Sequence, residues 1–331
     1  MSQLFAFNDL SRLPPPAALQ QLDFESLFEQ RKALFGGLQP ALLDSVGSPI
    51  TRPAELVTDE TGTYWRIPVD ATLGLWYLDL ESDPITRLLQ VDAYIDMHLQ
   101  QRENNQVISL LPAYAAGSDL DHIASRYGVK RLLITPATAT AVAVYESDEA
   151  LRRRMILALE ATSTAGPTGA YVYHALSADG RVKDALAYSP APAEVVVVVQ
   201  SHIGAGTADQ ALLDIVADAL NATGVRPAGD QVIVKSAEVV EYALDATLYF
   251  YPGPSHTPAL GLARTYLDAY RTESEKIGHA VTDSAIKRAL HQPGVYSAAV
   301  TSPAALPLHI TQDQCAYCTS ITIRDGGNVE Y

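Results

Sequence analysis

The sequence predicts an α+β protein: a helical N-terminal region followed by two compact α+β units. Three observations carry that reading. Apolar residues recur at helical spacing in two long stretches before residue 105. From about Val129 the texture turns rich in Thr, Val and Ala. After that, strand-like and helix-like stretches alternate in two successive sets, which gives divisions at 1–130, 131–241 and 242–331.

Pro14, Pro15 and Pro16 fix an extended segment. Leu19, Leu22, Leu27, Phe28 and Leu34 then predict an amphipathic helix over 17–35, stopped by Gly36 and Gly37. A Pro- and Gly-punctuated connector runs to Pro53, and 63–69 and 74–80 read as short strands. Ser82, Asp83 and Pro84 are a helix start, with oxygen acceptors for the orphan amides and a proline suited to the first turn. Ile85, Leu88, Leu89, Ala93, Ile95 and Leu99 carry that helix to about Asn104. Two shorter helices follow. The second has a capping box at Ser118 and Asp121, a face of Leu120, Ile123 and Tyr127, and Gly128 to close it.

Residues 132–144 read as strand. Ser147, Asp148 and Glu149 start a helix carrying Arg152, Arg153 and Arg154, and the acids suit its positive end. Gly166 to Gly169 breaks that helix, and 170–176 begins another. A hairpin of 182–188 and 194–200 turns through Pro190 and Pro192. A helix over 207–220 and a strand over 231–235 complete the first set. The second set holds a strand over 242–251, a helix opening at Thr257 and Pro258, a helix over 282–290, and strands near 295–301 and 318–323. One long strand near 242–251 could serve both sets.

Composition narrows the function. Lys plus Arg is 23 against 38 Asp plus Glu, a net charge of −15. Such a chain is ill suited to nucleic acid or an anionic membrane. No apolar run approaches the roughly 20 residues that span a bilayer, and the opening MSQLFAFNDLSRLPPP does not read as a secretory signal. Two cysteines exclude a disulfide framework. Seventeen tyrosines against six phenylalanines suit half-wet surfaces, interfaces included, and equally the edges of a core.

The best enzymatic candidate is the strand 195–203 leading into Gly204-Ala205-Gly206 and a helix, the layout of a dinucleotide-binding turn and of a nucleotide-dependent oxidoreductase. Asp209 stands where the third glycine belongs, and its carboxylate would repel a pyrophosphate. The next strand ends in Lys235 and Ser236 rather than in an acid for ribose. The plainer reading is a tight turn with Thr207 as helix cap and Gln210 completing a capping box. Cys315 and Cys318, with His309 nearby, make three potential zinc ligands where a structural site takes four, and they precede a strand rather than opening a helix. The histidines are scattered. No catalytic, cofactor-binding or metal-binding residue is assigned, and no cofactor or small-molecule substrate is expected.

The strings ESDPITRLLQVDAYIDMHLQQREN, LLPAYAAGSDLDHIASRYGVKR and ESDEALRRRMILALEATSTAGPTGAYVYHALSADGRVKDALAYSP resemble the baseplate J-like proteins of contractile phage tails. They come in that family's order, as do VVVVVQS, the GAGTA turn and the early LPPP and LDFESLFEQRKALF, so the likeness spans nearly the whole chain. The stretch 132–144 is longer than the joint expected between Y-G-V and E-S-D-E. The resemblance implies a structural virion protein rather than an enzyme. It would be a subunit of the baseplate wedge, made in the host cytoplasm, and would pair with other copies of itself and with other wedge proteins around a six-fold ring that rearranges on firing. An infectious phage, a tail-like bacteriocin or another injection device would all use such a part. The amphipathic stripes need a partner face, and the partner-contact candidates are Leu19, Leu22, Leu27, Phe28, Leu88 and Ile95.

Overall fold

The computed structural model describes residues 14, 16–38, 55–59, 62–66, 84–163, 166–227, 229–253 and 255–329. The expected strand over 74–80 and the second half of that over 63–69 lie outside them. The chain divides into two compact units, Met1–Ala115 and Ala116–Tyr331. The fold is α+β with its longest helix in the first unit.

In the first unit, α1 (Phe24–Leu38) and α2 (Pro84–Ser109) pack against each other, and β1 (Glu55–Asp59) pairs antiparallel with β2 (Gly62–Arg66). Helix α1 starts seven residues later than the apolar spacing predicts, because Pro16 is followed by a turn in which the Leu19 amide donates to the Pro16 carbonyl. Helix α2 runs on past Asn104 to Ser109, so the first of the two expected short helices is the last part of α2 and the turns after it.

The second unit opens with α3 (Gly117–Ser125), closed by Gly128 at φ +73°. The left-handed conformation there is one that glycine adopts without strain. The expected strand over 132–144 is instead a short ribbon of β3 (Leu133–Thr135) and β4 (Val144–Tyr145), joined by a loop. The loop is held by Thr138, whose amide donates to the Ala141 carbonyl and whose Oγ1 accepts from the Ala141 amide. Helix α4 (Asp148–Ala161) is capped by Ser147, which accepts from the Ala150 amide. Of its three successive arginines, Arg154 points inward and forks onto Glu146 with two 2.7 Å hydrogen bonds, both side chains being buried. Arg153 bonds Asp184 at 2.7 Å.

Helix α5 (Thr168–Ala178) leads into β5 (Val182–Ala191), which pairs antiparallel with β6 (Glu194–Ser201). The valine run of β6 is buried because it lies between β5 and the parallel β7 (Gln231–Ser236). Helix α6 (Gln210–Asn221) connects β6 to β7 and buries Leu212, Val216 and Leu220. A single residue, Ala237, separates β7 from β8 (Glu238–Phe250), which crosses the 241/242 division. In β8, Tyr242, Leu244, Ala246, Leu248 and Phe250 alternate inward onto α7 (Thr257–Ser274) and α8 (Asp283–Leu290). Strand β9 (Val295–Ser302) pairs antiparallel and β10 (Gln314–Asn328) parallel with β8, giving the order β10-β8-β9.

Candidate assembly surfaces

The residues of α1 and α2 sort into two faces. Phe24, Leu27, Phe28 and Phe35 of α1 meet Ile85, Leu89 and Ala93 of α2 in one apolar cluster. The helices run antiparallel. Asn104 accepts the Gln20 amide and donates to the Gln20 carbonyl, both at 2.9 Å, and Arg31 pairs with Asp96. The first stripe therefore has an internal partner, which the sequence reading did not find. Of the six candidates, Phe28 is buried and Leu27 packs beside it inside this interface, while Leu19 is half-buried. Leu22, Leu88 and Ile95 are exposed.

Leu88 and Ile95 do not stand alone. Leu88, Val91, Ile95 and Leu99 are each at least 41% exposed and follow one another at helical spacing. They share the side of α2 away from Ile85, Leu89 and Ala93, with Tyr94 at its flank and 52% exposed. Periodicity alone puts Leu88, Ile95 and Leu99 in one stripe with Ile85, Leu89 and Ala93 and passes over Val91 and Tyr94, because it gives the helix a single apolar face. A row of large apolar side chains on a helix whose other face is already covered is a candidate contact surface.

The glycine turn shows different chemistry from a dinucleotide site. Gly204 and Gly206 have positive φ, and the Gly206 carbonyl accepts the Ser201 amide at 2.8 Å. A Cβ at Gly206 would press on the Gln200 side chain. The cap of α6 is Asp209, accepting the Leu212 amide at 2.8 Å, and not Thr207, which bridges back to Gln200. A carboxylate thus occupies the helix end where an anion would sit.

Cys315 and Cys318 lie on β10, three residues apart, and fall into different apolar clusters. Burial pushes both thiols up, which makes them inert rather than reactive. His309 is exposed. Among the described residues, no group of three or more His, Cys, Asp or Glu could hold a metal ion, and no helix is long and apolar enough to cross a membrane.

These features define a protein whose distinctive chemistry is on its outside: an ordered helix that presents an apolar row. Comparison with known proteins gives the family. Residues 81–138 match the baseplate J-like N-terminal domain and residues 163–236 the baseplate J-like central domain. Baseplate protein J of Escherichia phage P2 is 38% identical over 326 residues, spanning 97% of this chain and 99% of that protein. The chain belongs to the baseplate J-like family and is a component of the phage tail baseplate.

Proposed function

We propose that this chain is a structural subunit of the baseplate wedge of a contractile tail or tail-like particle. It assembles with other wedge proteins and with copies of itself around a six-fold ring that rearranges on firing. The observation that carries this reading is the exposed row Leu88, Val91, Ile95 and Leu99 on a helix already packed on its other side. That row is where a neighbouring wedge protein docks, with Leu22 at the start of α1 as a further contact. The three-part division at 1–130, 131–241 and 242–331 is part of the proposal. It is supported by the two family matches, which fall mainly in the first and second parts. The last two parts supply the ring contacts. We read the chain as structural rather than catalytic.

The test is incorporation. Tails assembled with Leu88→Asp plus Ile95→Asp are sedimented and their proteins quantified by peptide mass spectrometry. The variant is expected to fold, since both side chains are solvent-facing, and to be lost from the tail fraction. Incorporation at the wild-type ratio removes this face from the proposal.

A further inference from the structure

We propose that the β3–β4 ribbon is a self-association edge, to which a second copy of this chain adds its own ribbon strand against strand. The proposal rests on the assembly reading only for its setting in a baseplate, and it names one surface and one partner within that reading.

The ribbon is exposed and apolar. Val142 is 84% exposed and Tyr145 56%, with Val144 and Leu133 also open. It is nonetheless firmly built. At its foot the Glu146 amide donates to the Leu132 carbonyl at 2.9 Å, and the Leu132 amide donates to the Glu146 carboxylate. That carboxylate is itself held by the buried Arg154 fork. Gly180 lies so close to the Leu133 carbonyl that a Cβ there would overlap it. The Thr138 turn fixes the tip. An exposed two-stranded ribbon is marginal by itself in water, so a third strand is what it lacks.

Among the described residues β3 and β4 pair only with each other. Gly180 crowds β3 at Leu133, so the open edge is that of β4 together with the two residues before it, 142–145. Exposed edges are usually blunted with charge. Here no Asp, Glu, Lys, Arg or His occurs from 132 through 145. Arg131, at the foot, is neutralised between Asp121 and Asp148. The whole chain carries −15, so copies approaching by an average face repel each other. Two neutral ribbons meet without that repulsion, and antiparallel pairing of like with like closes about a two-fold axis. Centred on Val142, it would set that valine across from its own copy, a favourable cross-strand pair. A second copy is thus the partner whose charge and strand chemistry match the edge.

The experiment is sedimentation velocity of the full chain from low micromolar to high concentration, with Val142→Glu plus Val144→Glu, and Val142→Glu alone. The single variant alters a side chain that touches almost nothing, so it keeps the test valid if the double variant fails to fold. The wild type is expected to dimerise reversibly and the variants to weaken dimerisation at least about tenfold. Val142→Cys is expected to form a disulfide-linked dimer under mild oxidation, because Cys315 and Cys318 are buried and do not compete. A wild type that is monomeric throughout, or dimers untouched by the variants and not captured by Val142→Cys, overturns the proposal. A wild type that enters tails but never self-associates, while the Glu variants are excluded from tails, also overturns it: the edge then takes a strand from a different baseplate protein, and the wedge reading survives.

Discussion

His256 at the start of α7 shows how one side chain ties two elements together. Its ring stacks on Phe250 with centroids 4.2 Å apart. Nδ1 lies 2.8 Å from Asp325 Oδ2 and Nε2 lies 2.7 Å from Asn328 Oδ1. An imidazolium donates to both, so Asp325 first and then Asn328 hold the His256 pKa above its usual value near 6.5. Folding raises this pKa, so the stabilisation is complete below about 6.5 and is lost as pH rises through the folded value. NMR titration should therefore place His256 above 6.5, and Asp325→Asn should bring it down. A wild-type value at or below 6.5 would show that the latch is not formed. The Arg154–Glu146 pair gives a second expectation. Arg154→Met leaves a carboxylate buried and unpaired, which costs roughly 3–5 kcal/mol. Pairing it with Glu146→Leu should recover much of that loss, and urea midpoints of the two variants decide the matter. Neither device was legible in the sequence. His256 and Asp325 are 69 residues apart, and nothing in a run of three arginines says which one turns inward.

The elements themselves were largely legible, and the misses have physical causes. Ser147 caps α4 as its spacing suggests, and Thr282 caps α8. The cap of α6 is expected at Thr207 and lies at Asp209: both residue types serve, and only the backbone turn back to Gln200 removes Thr207. The 132–144 stretch has strand composition, yet only the ends of it pair, because Thr138 turns the middle into a loop. Periodicity predicts the helical stripes but not their mutual packing, since it shows that a face exists and not what covers it. That packing makes a prediction at the scale of the helix pair. Phe28→Ala removes the ring at the centre of the α1–α2 interface and should destabilise the pair by about 3–5 kcal/mol. Hydrogen exchange should quicken along Pro84–Ser109 while protection in α5 and β6 is unchanged. Unaltered exchange in α2 would mean that α1 contributes little to holding it.

At the scale of the second unit, the sheets β5-β6-β7 and β10-β8-β9 are welded rather than strung together. The seam is an apolar cluster of Val196, Val198, Ala237, Ile277 and Cys315, ringed by polar bonds. Asp184, buried on β5, bonds Arg153 of α4 and accepts the Ile277 amide at 3.0 Å. Lys183 pairs with Glu275, and Asp313 accepts from Tyr188 and pairs with Lys235. Burial works against the Asp313 charge, but the Lys235 and Tyr188 bonds outweigh it and hold that carboxyl below its usual range. A carboxyl lowered on folding stabilises the seam above its unfolded pKa, and that contribution is lost as pH falls through the folded one. The two sets should consequently unfold in one calorimetric transition near neutral pH. Asp184→Ala removes the 2.7 Å ion pair with Arg153 and leaves the Ile277 amide unpaired. Its cost should sit toward the lower end of roughly 3–5 kcal/mol, because Arg153 keeps some contact with water. The weakened seam should then split the transition in two, and the split should widen on acidification as Asp313 takes up its proton. A single, merely lowered transition at every pH would mean that the apolar cluster alone couples the two sets. In that case the polar ring only sets their register.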